Sequence, residues 1–141
     1  MIRTIDETIS VAPQIAPEAL AALAGAGFTT IINNRPEDEE PGQPDGAAIR
    51  AAAEAAGLGY VALPVTPGQF TRELAEAMAA AVESAPGPVL AFCRSGTRSC
   101  TLWALGQAIR GADADALIAK AAGAGYDLAP MRPALQALAA G

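Results

Sequence analysis

The sequence predicts an α/β fold with a mainly parallel central sheet flanked by helices. Three observations predict it. Short apolar runs, several rich in β-branched residues, alternate with Ala- and Leu-rich stretches of helical length; Gly and Pro punctuate the junctions; and the apolar runs lack polar alternation, as strands covered on both faces should. A chain of 141 residues can bury most of its apolar surface around one core, so a single domain spanning 1–141 is expected.

The first strand is read over Ile9-Ser10-Val11-Ala12, after which Pro17 opens a helix that Gly25 and Gly27 end. Phe28-Thr29-Thr30-Ile31-Ile32 is the second strand, and its β-branched residues suit a fully covered position. The prolines, glycine and acids from Asn33 to Pro44 mark a long loop. A helix from Asp45 to Ala56 stops at Gly57-Leu58-Gly59 and delivers the strand Tyr60–Leu63. The loop Pro64-Val65-Thr66-Pro67-Gly68, a helix from Thr71 to Ser84, and the strand Val89–Phe92 follow. An amphipathic helix carrying Leu102, Trp103, Leu105 and Ile109 begins after Arg98, and two shorter helices, near 112–124 and 130–139, complete the order. No internal repeat is visible. In such sheets ligands bind beyond the carboxyl ends of the strands, where the loops at Cys93, Asn33–Pro44 and Pro64–Gly68 are all expected to emerge.

Composition narrows the chemistry. The chain is 52% hydrophobic and 17% charged, with a formal charge of −6, which argues against nucleic acid or an anionic membrane as partner because both require clustered positive charge. The N-terminus mixes charges early and has no long apolar run, so the expected location is the cytoplasm. Two cysteines, Cys93 and Cys100, are too few for a disulfide framework and lack zinc-ligand spacing. Histidine is absent, which removes Cys-His and Ser-His dyads, His-ligated metals and imidazole acid–base catalysis together.

Against that background, Cys93-Arg94-Ser95-Gly96-Thr97-Arg98-Ser99 stands out, placed between a buried strand and a helix. Gly96 permits positive φ, so consecutive amides can converge into an anion nest at a helix start. With Arg98 folded over it, such a nest is expected to keep Cys93 a thiolate, well below the free-thiol value of about 8.5, without a general base. Ser99 or Thr97 is expected to donate to the sulfur, while Arg94, Ser95, Gly96 and Thr97 line the substrate position and Arg98 grips two substrate oxygens with its planar fork. The competing account is a buried structural cysteine, which the surrounding Gly, Arg and hydroxyl residues disfavour. Arg94 has two open roles, steering anions at the rim or solubilising the loop.

The stretch Val89–Ser99 resembles the signature loop of cysteine-dependent phosphatases. The whole chain resembles the phosphatase-like domain of the β-lactamase-hydrolase-like proteins, through the Cys loop, Asn33-Asn34-Arg35-Pro36, Gly42-Gln43-Pro44, Pro64–Gly68, Thr101-Leu102-Trp103 and Gly125-Tyr126-Asp127. The resemblance implies a dual-specificity-phosphatase-like fold, with Cys93 as nucleophile and Arg98 as oxyanion binder.

Two features depart from a phosphatase. Only four residues separate Cys93 from Arg98, where the phosphatase signature has five; the shorter interval resembles rhodanese-type sulfurtransferases. The loop Pro64–Gly68, where dual-specificity phosphatases carry an acid for the leaving group, contains no carboxyl group. Asp38, Glu39 or Glu40 on the other long loop are the candidate acids, unless that loop is merely solvated. Sulfur transfer needs no acid, since sulfite or a thiolate leaves well near neutral pH.

The sequence therefore favours sulfur transfer through a Cys93 persulfide, with a persulfide-oxidising enzyme as candidate partner. A phosphomonoester phosphatase working through phosphocysteine comes second, and a non-catalytic anion-binding module third. Each takes a small anionic ligand, and none implies a metal or cofactor. Arg35 either binds a substrate anion or braces the Cys loop, or else pairs with the neighbouring acids. Cys100 is expected to pack in the core rather than to resolve a disulfide, Trp103 and Tyr126 to be core rather than stacking surfaces, and Gln14 to follow the first strand toward the same mouth.

Overall fold

The computed structural model describes all 141 residues. Its strands are β1 (Arg3–Thr4), β2 (Ile9–Ala12), β3 (Thr30–Asn33), β4 (Gly59–Ala62) and β5 (Val89–Phe92). Its helices are α1 (Leu20–Gly25), α2 (Gly46–Ala55), α3 (Arg72–Ser84), α4 (Thr97–Ile109), α5 (Ala114–Gly123) and α6 (Arg132–Ala139). The sheet order is β1-β2-β5-β3-β4, parallel except for the short antiparallel edge strand β1.

Side chains on successive strand residues point to opposite faces, and β5 shows the result. Val89 and Ala91 join a core on one face with Val11, Ile32, Met78, Leu102, Trp103, Leu117 and Leu135. Leu90 and Phe92 join the other, with Ile31, Leu20, Leu23, Ile49 and Ala53. Helices α3–α6 thus cover one face, and α1 and α2 the other. The apolar residues of β2, β3 and β5 are buried on both faces, which is why these strands show no polar alternation in the sequence.

Several expected boundaries shift. The second strand begins at Thr30 rather than Phe28 and extends to Asn33, and the third is displaced by one residue to Gly59–Ala62, because each is bounded by its pairing with a neighbour rather than by hydrophobicity. Pro17–Ala19 and Ala129–Met131 are 3₁₀ turns preceding α1 and α6. Strand β1 was not expected: two exposed residues carry no periodicity, and only pairing of Arg3 and Thr4 with Val11 and Ser10 defines them. Helix α4 begins at Thr97, so Arg98 lies inside it, and it is not amphipathic. Ser99 through Ala104, Gly106 and Ala108 are buried because α3, α5 and α6 surround it. No helix is long and apolar enough to cross a membrane.

Register places the site. Ala12, Phe92 and Asn33 end their strands in one row, and Asn33 is paired to Ala62. Cys93, the Asn34–Asp45 loop and Leu63–Val65 therefore leave the sheet together at its carboxyl end. The helices that follow β2 and β3 lie on one face while the helix that follows β5 lies on the other, which opens a crevice at the end of β5.

Candidate active site

Cys93 follows β5 directly and is fully buried. Its Sγ accepts a hydrogen bond from the Gly96 amide at 3.0 Å. Gly96 caps α4 with φ of +91°, a left-handed conformation that lets the chain turn its amide back onto the sulfur. The helix start adds its partial positive charge on the same side.

The hydroxyls behave differently from expectation. Thr97 is exposed, and its Oγ1 accepts from Ser95 Oγ at 3.0 Å, so these two residues form a rim pair rather than a cradle for sulfur. Ser99 is buried with its Oγ unpartnered, so it makes no hydrogen bond to the sulfur here. Arg94 is 64% exposed, with Nη2 3.5 Å from Glu40 Oε2, a loose rim pair.

Arg98 is held from two sides. Its Nη1 donates to Glu39 Oε2 at 2.7 Å and to the Val65 carbonyl at 2.7 Å, while Nη2 donates to Glu39 Oε1 at 2.8 Å. A guanidinium has five N–H donors, and these three bonds leave the Nε–H and one Nη2–H, which share one edge of the planar group. That edge is a two-pronged fork for an oxyanion. Glu39 is the main cause of the raised guanidinium pKa; burial opposes it and the nearby Cys93 reinforces it.

The long acidic loop is ordered by this pairing. Glu39 also accepts from Arg35 Nε at 2.8 Å, and its pKa is held below the ordinary carboxylate value, first by Arg98, against burial, and then by Arg35. A carboxylate so held is ionised at neutral pH and is not placed to deliver a proton. Arg35 was expected either to bind a substrate anion or to pair with its neighbouring acids, and it takes the second role. Its Nη1 and Nη2 donate to Gln14 Oε1 and Glu40 Oε1, both at 3.0 Å, so all three nitrogens are engaged, and at 2% exposure the guanidinium is enclosed. Glu40 bridges Arg35 and Arg94. Asp38 is exposed at the loop apex with φ of +56°, its carboxylate outside this network.

Gln14 and Gln43 hold this loop, and sequence reasoning singled out neither for that role. Gln43 accepts from the Glu39 amide and donates to the Pro36 carbonyl, both within 2.9 Å. The turn-forming string Gly42-Gln43-Pro44 was the available signal for Gln43; nothing local marks Gln14. Asn33 Oδ1 accepts from the Arg35 amide, and Asn34 Nδ2 donates to the carbonyl of Leu63, just past β4, fastening the start of the loop to the segment that follows that strand.

Cys100 takes the packing role: it is fully buried, and burial, then the proximity of Cys93, pushes its thiol up to about 12. Trp103 is core, at 2% exposure. Tyr126 is neither core nor a free stacking surface; it is half-buried against the Cys loop and donates to the Ser95 carbonyl at 3.1 Å. The largest surface cavity, about 530 Å³, lies at the opposite end of the sheet beside Asp6, Glu83, Pro88 and Lys120 and includes no residue of the Cys loop. No group of three His, Cys, Asp or Glu side chains is placed to hold a metal ion.

The model of a protein family described as "Beta-lactamase hydrolase-like protein, phosphatase-like domain" matches residues 1–110. A beta-lactamase hydrolase-like protein of Agrobacterium fabrum is 40% identical over 107 residues, which is 76% of this chain and 25% of that relative. The chain thus spans about a quarter of the length of the curated relatives it matches. A crystal structure of a candidate phosphatase from Neisseria meningitidis is 36% identical, with a TM-score of 0.84 and 97% of both chains covered. TpbA of P. aeruginosa, solved in complex with pTyr, shares the fold at a TM-score of 0.65 and 17% identity, over 99% of this chain and 90% of the other.

Proposed function

Because the chain belongs to the family of phosphatase-like domains found in beta-lactamase hydrolase-like proteins, we propose that it is a cysteine-dependent phosphatase of phosphomonoesters. The observation that carries this reading is the free Nε/Nη2 edge of Arg98, held by Glu39 and Val65 beside a sulfur that already accepts the Gly96 amide. The arrangement provides a nucleophile and a bidentate oxyanion grip in one place.

In the proposed reaction the Cys93 thiolate attacks phosphorus. A P–S bond forms as the ester P–O bond breaks, and the leaving oxygen takes the electron pair and a proton. Arg98 and the loop amides hold the non-bridging oxygens as their charge redistributes in the transition state. Water then attacks the phosphocysteine, a proton passes to solvent or a nearby base, and phosphate departs with the thiolate restored. Glu39 serves as a positioning residue for Arg98. Of the three candidate acids, Asp38 alone has a side chain uncommitted to an arginine, and it is the proposed donor where the leaving group needs a proton. A weakly committed acid favours aryl esters, whose phenols leave readily; phosphotyrosine, the ligand in the TpbA complex, is of that kind.

This order reverses the one the sequence favoured, since the matching family model is described as phosphatase-like and the 36%-identical Neisseria structure as a candidate phosphatase. Sulfur transfer stays as the second reading on one observation, the four-residue interval between Cys93 and Arg98. There the thiolate would attack the sulfane sulfur of thiosulfate, break its S–S bond, expel sulfite with the electron pair, and pass the bound sulfur to an acceptor thiolate or cyanide.

Purified protein is offered para-nitrophenyl phosphate and, separately, thiosulfate with cyanide. Nitrophenol release that Cys93→Ser abolishes is the expected result. Thiocyanate without nitrophenol would replace the first reading with the second, and turnover of neither would leave an anion-binding module.

A further inference from the structure

The peptide unit joining Ser95 to Gly96 is held at both ends. Its N–H donates to Cys93 Sγ at 3.0 Å, and its carbonyl accepts from Tyr126 Oη at 3.1 Å. A trans peptide is planar, with its C=O and N–H pointing in opposite directions, so anchoring one end orients the other. From this geometry we infer that Tyr126 is a positioning residue that holds the Ser95–Gly96 peptide with its N–H on the Cys93 sulfur, and thereby favours the ionised thiol. The inference rests on Cys93 being the reactive thiolate of the proposed function.

The peptide needs such an anchor. Gly96, at φ of +91°, has no Cβ to restrict it, so the preceding peptide plane can rotate at little steric cost. A flipped plane would aim the carbonyl oxygen at the sulfur and repel a thiolate. The Tyr126 hydroxyl opposes that flip. It also explains why position 96 must remain glycine: a Cβ there would collide with the Tyr126 hydroxyl. The run from O–H through the peptide to sulfur is a chain of hydrogen bonds in which each polarises the next.

Tyr126 is itself placed by long-range contacts. Its amide donates to the Ala121 carbonyl at 2.9 Å at the end of α5, after Gly125 at φ of +96°. The Arg3 guanidinium lies 5.9 Å from its ring centroid, and Arg3 Nη1 donates to the Ala124 carbonyl at 3.2 Å. Burial, opposed by Arg3, raises the phenol's pKa above its ordinary value, so the hydroxyl keeps its proton and remains a donor. The other groups that bear on Cys93 are Arg98, with Glu39 behind it, and Cys100. Position 126 lies beyond the residues that the family model matches.

The test titrates Cys93 by its ultraviolet thiolate absorbance, taken as the difference from Cys93→Ser, in the full chain and in Tyr126→Phe. Loss of the hydroxyl should raise the midpoint by about half a pH unit, which is about threefold less thiolate below the transition. The nitrophenyl phosphate pH profile should shift with it. Packing alone would change thermal stability and leave the midpoint in place. Should Tyr126→Phe not fold, Arg3→Met, which loosens the ring without touching the loop, decides by the same readout. A depressed wild-type midpoint that the variant reproduces overturns the role of Tyr126 and spares the proposed function. An ordinary thiol midpoint in the wild type overturns both.

Discussion

Two guanidiniums converge on the Glu39 carboxylate, Arg98 through both Nη atoms and Arg35 through Nε. Both arginine side chains are largely buried, at 12% and 1% exposure, so removing the carboxylate leaves positive charge short of its partner. Glu39→Ala is expected to cost about 3 kcal/mol on that account. Glu39→Gln should cost less, and lower kcat/KM for para-nitrophenyl phosphate about tenfold or more through misplacement of the Arg98 fork. The pH dependence has a definite sign. The folded pKa of Glu39 lies below the ordinary value of 4.5, so its stabilisation is fully present above that value and fades as pH falls through the folded one. Denaturation of wild type and Glu39→Gln should therefore show a wide stability gap near neutrality that narrows in acid. A gap that is constant with pH would mean the ion pair contributes nothing to folding.

At the scale of elements, α3 and α4 pack against each other more extensively than any other helix pair, and Gly106 lies where their backbones approach. A Cβ at position 106 would come within 2.6 Å of the Ala75 carbonyl oxygen and 3.2 Å of Ala79 Cβ. Gly106→Ala gains helix propensity worth about 1 kcal/mol, yet it must push backbone from backbone, at a cost of about 1–3 kcal/mol for overpacking. The expected outcome is net destabilisation in a thermal or urea melt; an increase would show that the helices separate freely. Because α4 opens at the Cys loop, the same displacement should move Arg98 relative to Glu39 and reduce turnover. Two helix starts are set locally. Thr71 Oγ1 accepts from the Leu74 amide and Asp113 Oδ2 from the Ala116 amide, N-caps that explain why α3 and α5 start where they do.

For the whole molecule, the family model ends at residue 110, while the core does not. Ala114, Leu117, Ala121, Leu128 and Leu135 belong to the larger core cluster, with Leu135 wholly buried, and Tyr126 reaches the Cys loop from this same segment. A chain cut after Arg110 would expose α4 on two sides and is expected to lose its cooperative thermal transition, as circular dichroism would show; a sharp transition retained by that fragment would show the last two helices to be dispensable.

Element order, the mainly parallel sheet, the face on which the loops emerge, and the Cys loop itself were legible in the sequence, because each is written locally: in the apolar runs of β3 and β5, in the Gly and Pro that break helices, and in Cys, Gly and Arg spaced along one turn. The partners of the long polar side chains were not legible. Asp38, Glu39 and Glu40 read alike as acids on a loop, but Glu39 meets Arg98 across 59 residues of chain, Arg35 meets Gln14 across 21, and Tyr126 meets Ser95 across 31. Nor could the sequence show that α4 is enclosed all round or that β1 exists. Such contacts depend on where the sheet register and helix packing bring distant segments together. The sequence by itself determined what chemistry this chain can attempt; only the tertiary structure decided which carboxylate is tied up, which guanidinium edge stays free, and which peptide faces the sulfur, because those outcomes depend on distances between residues far apart along the chain.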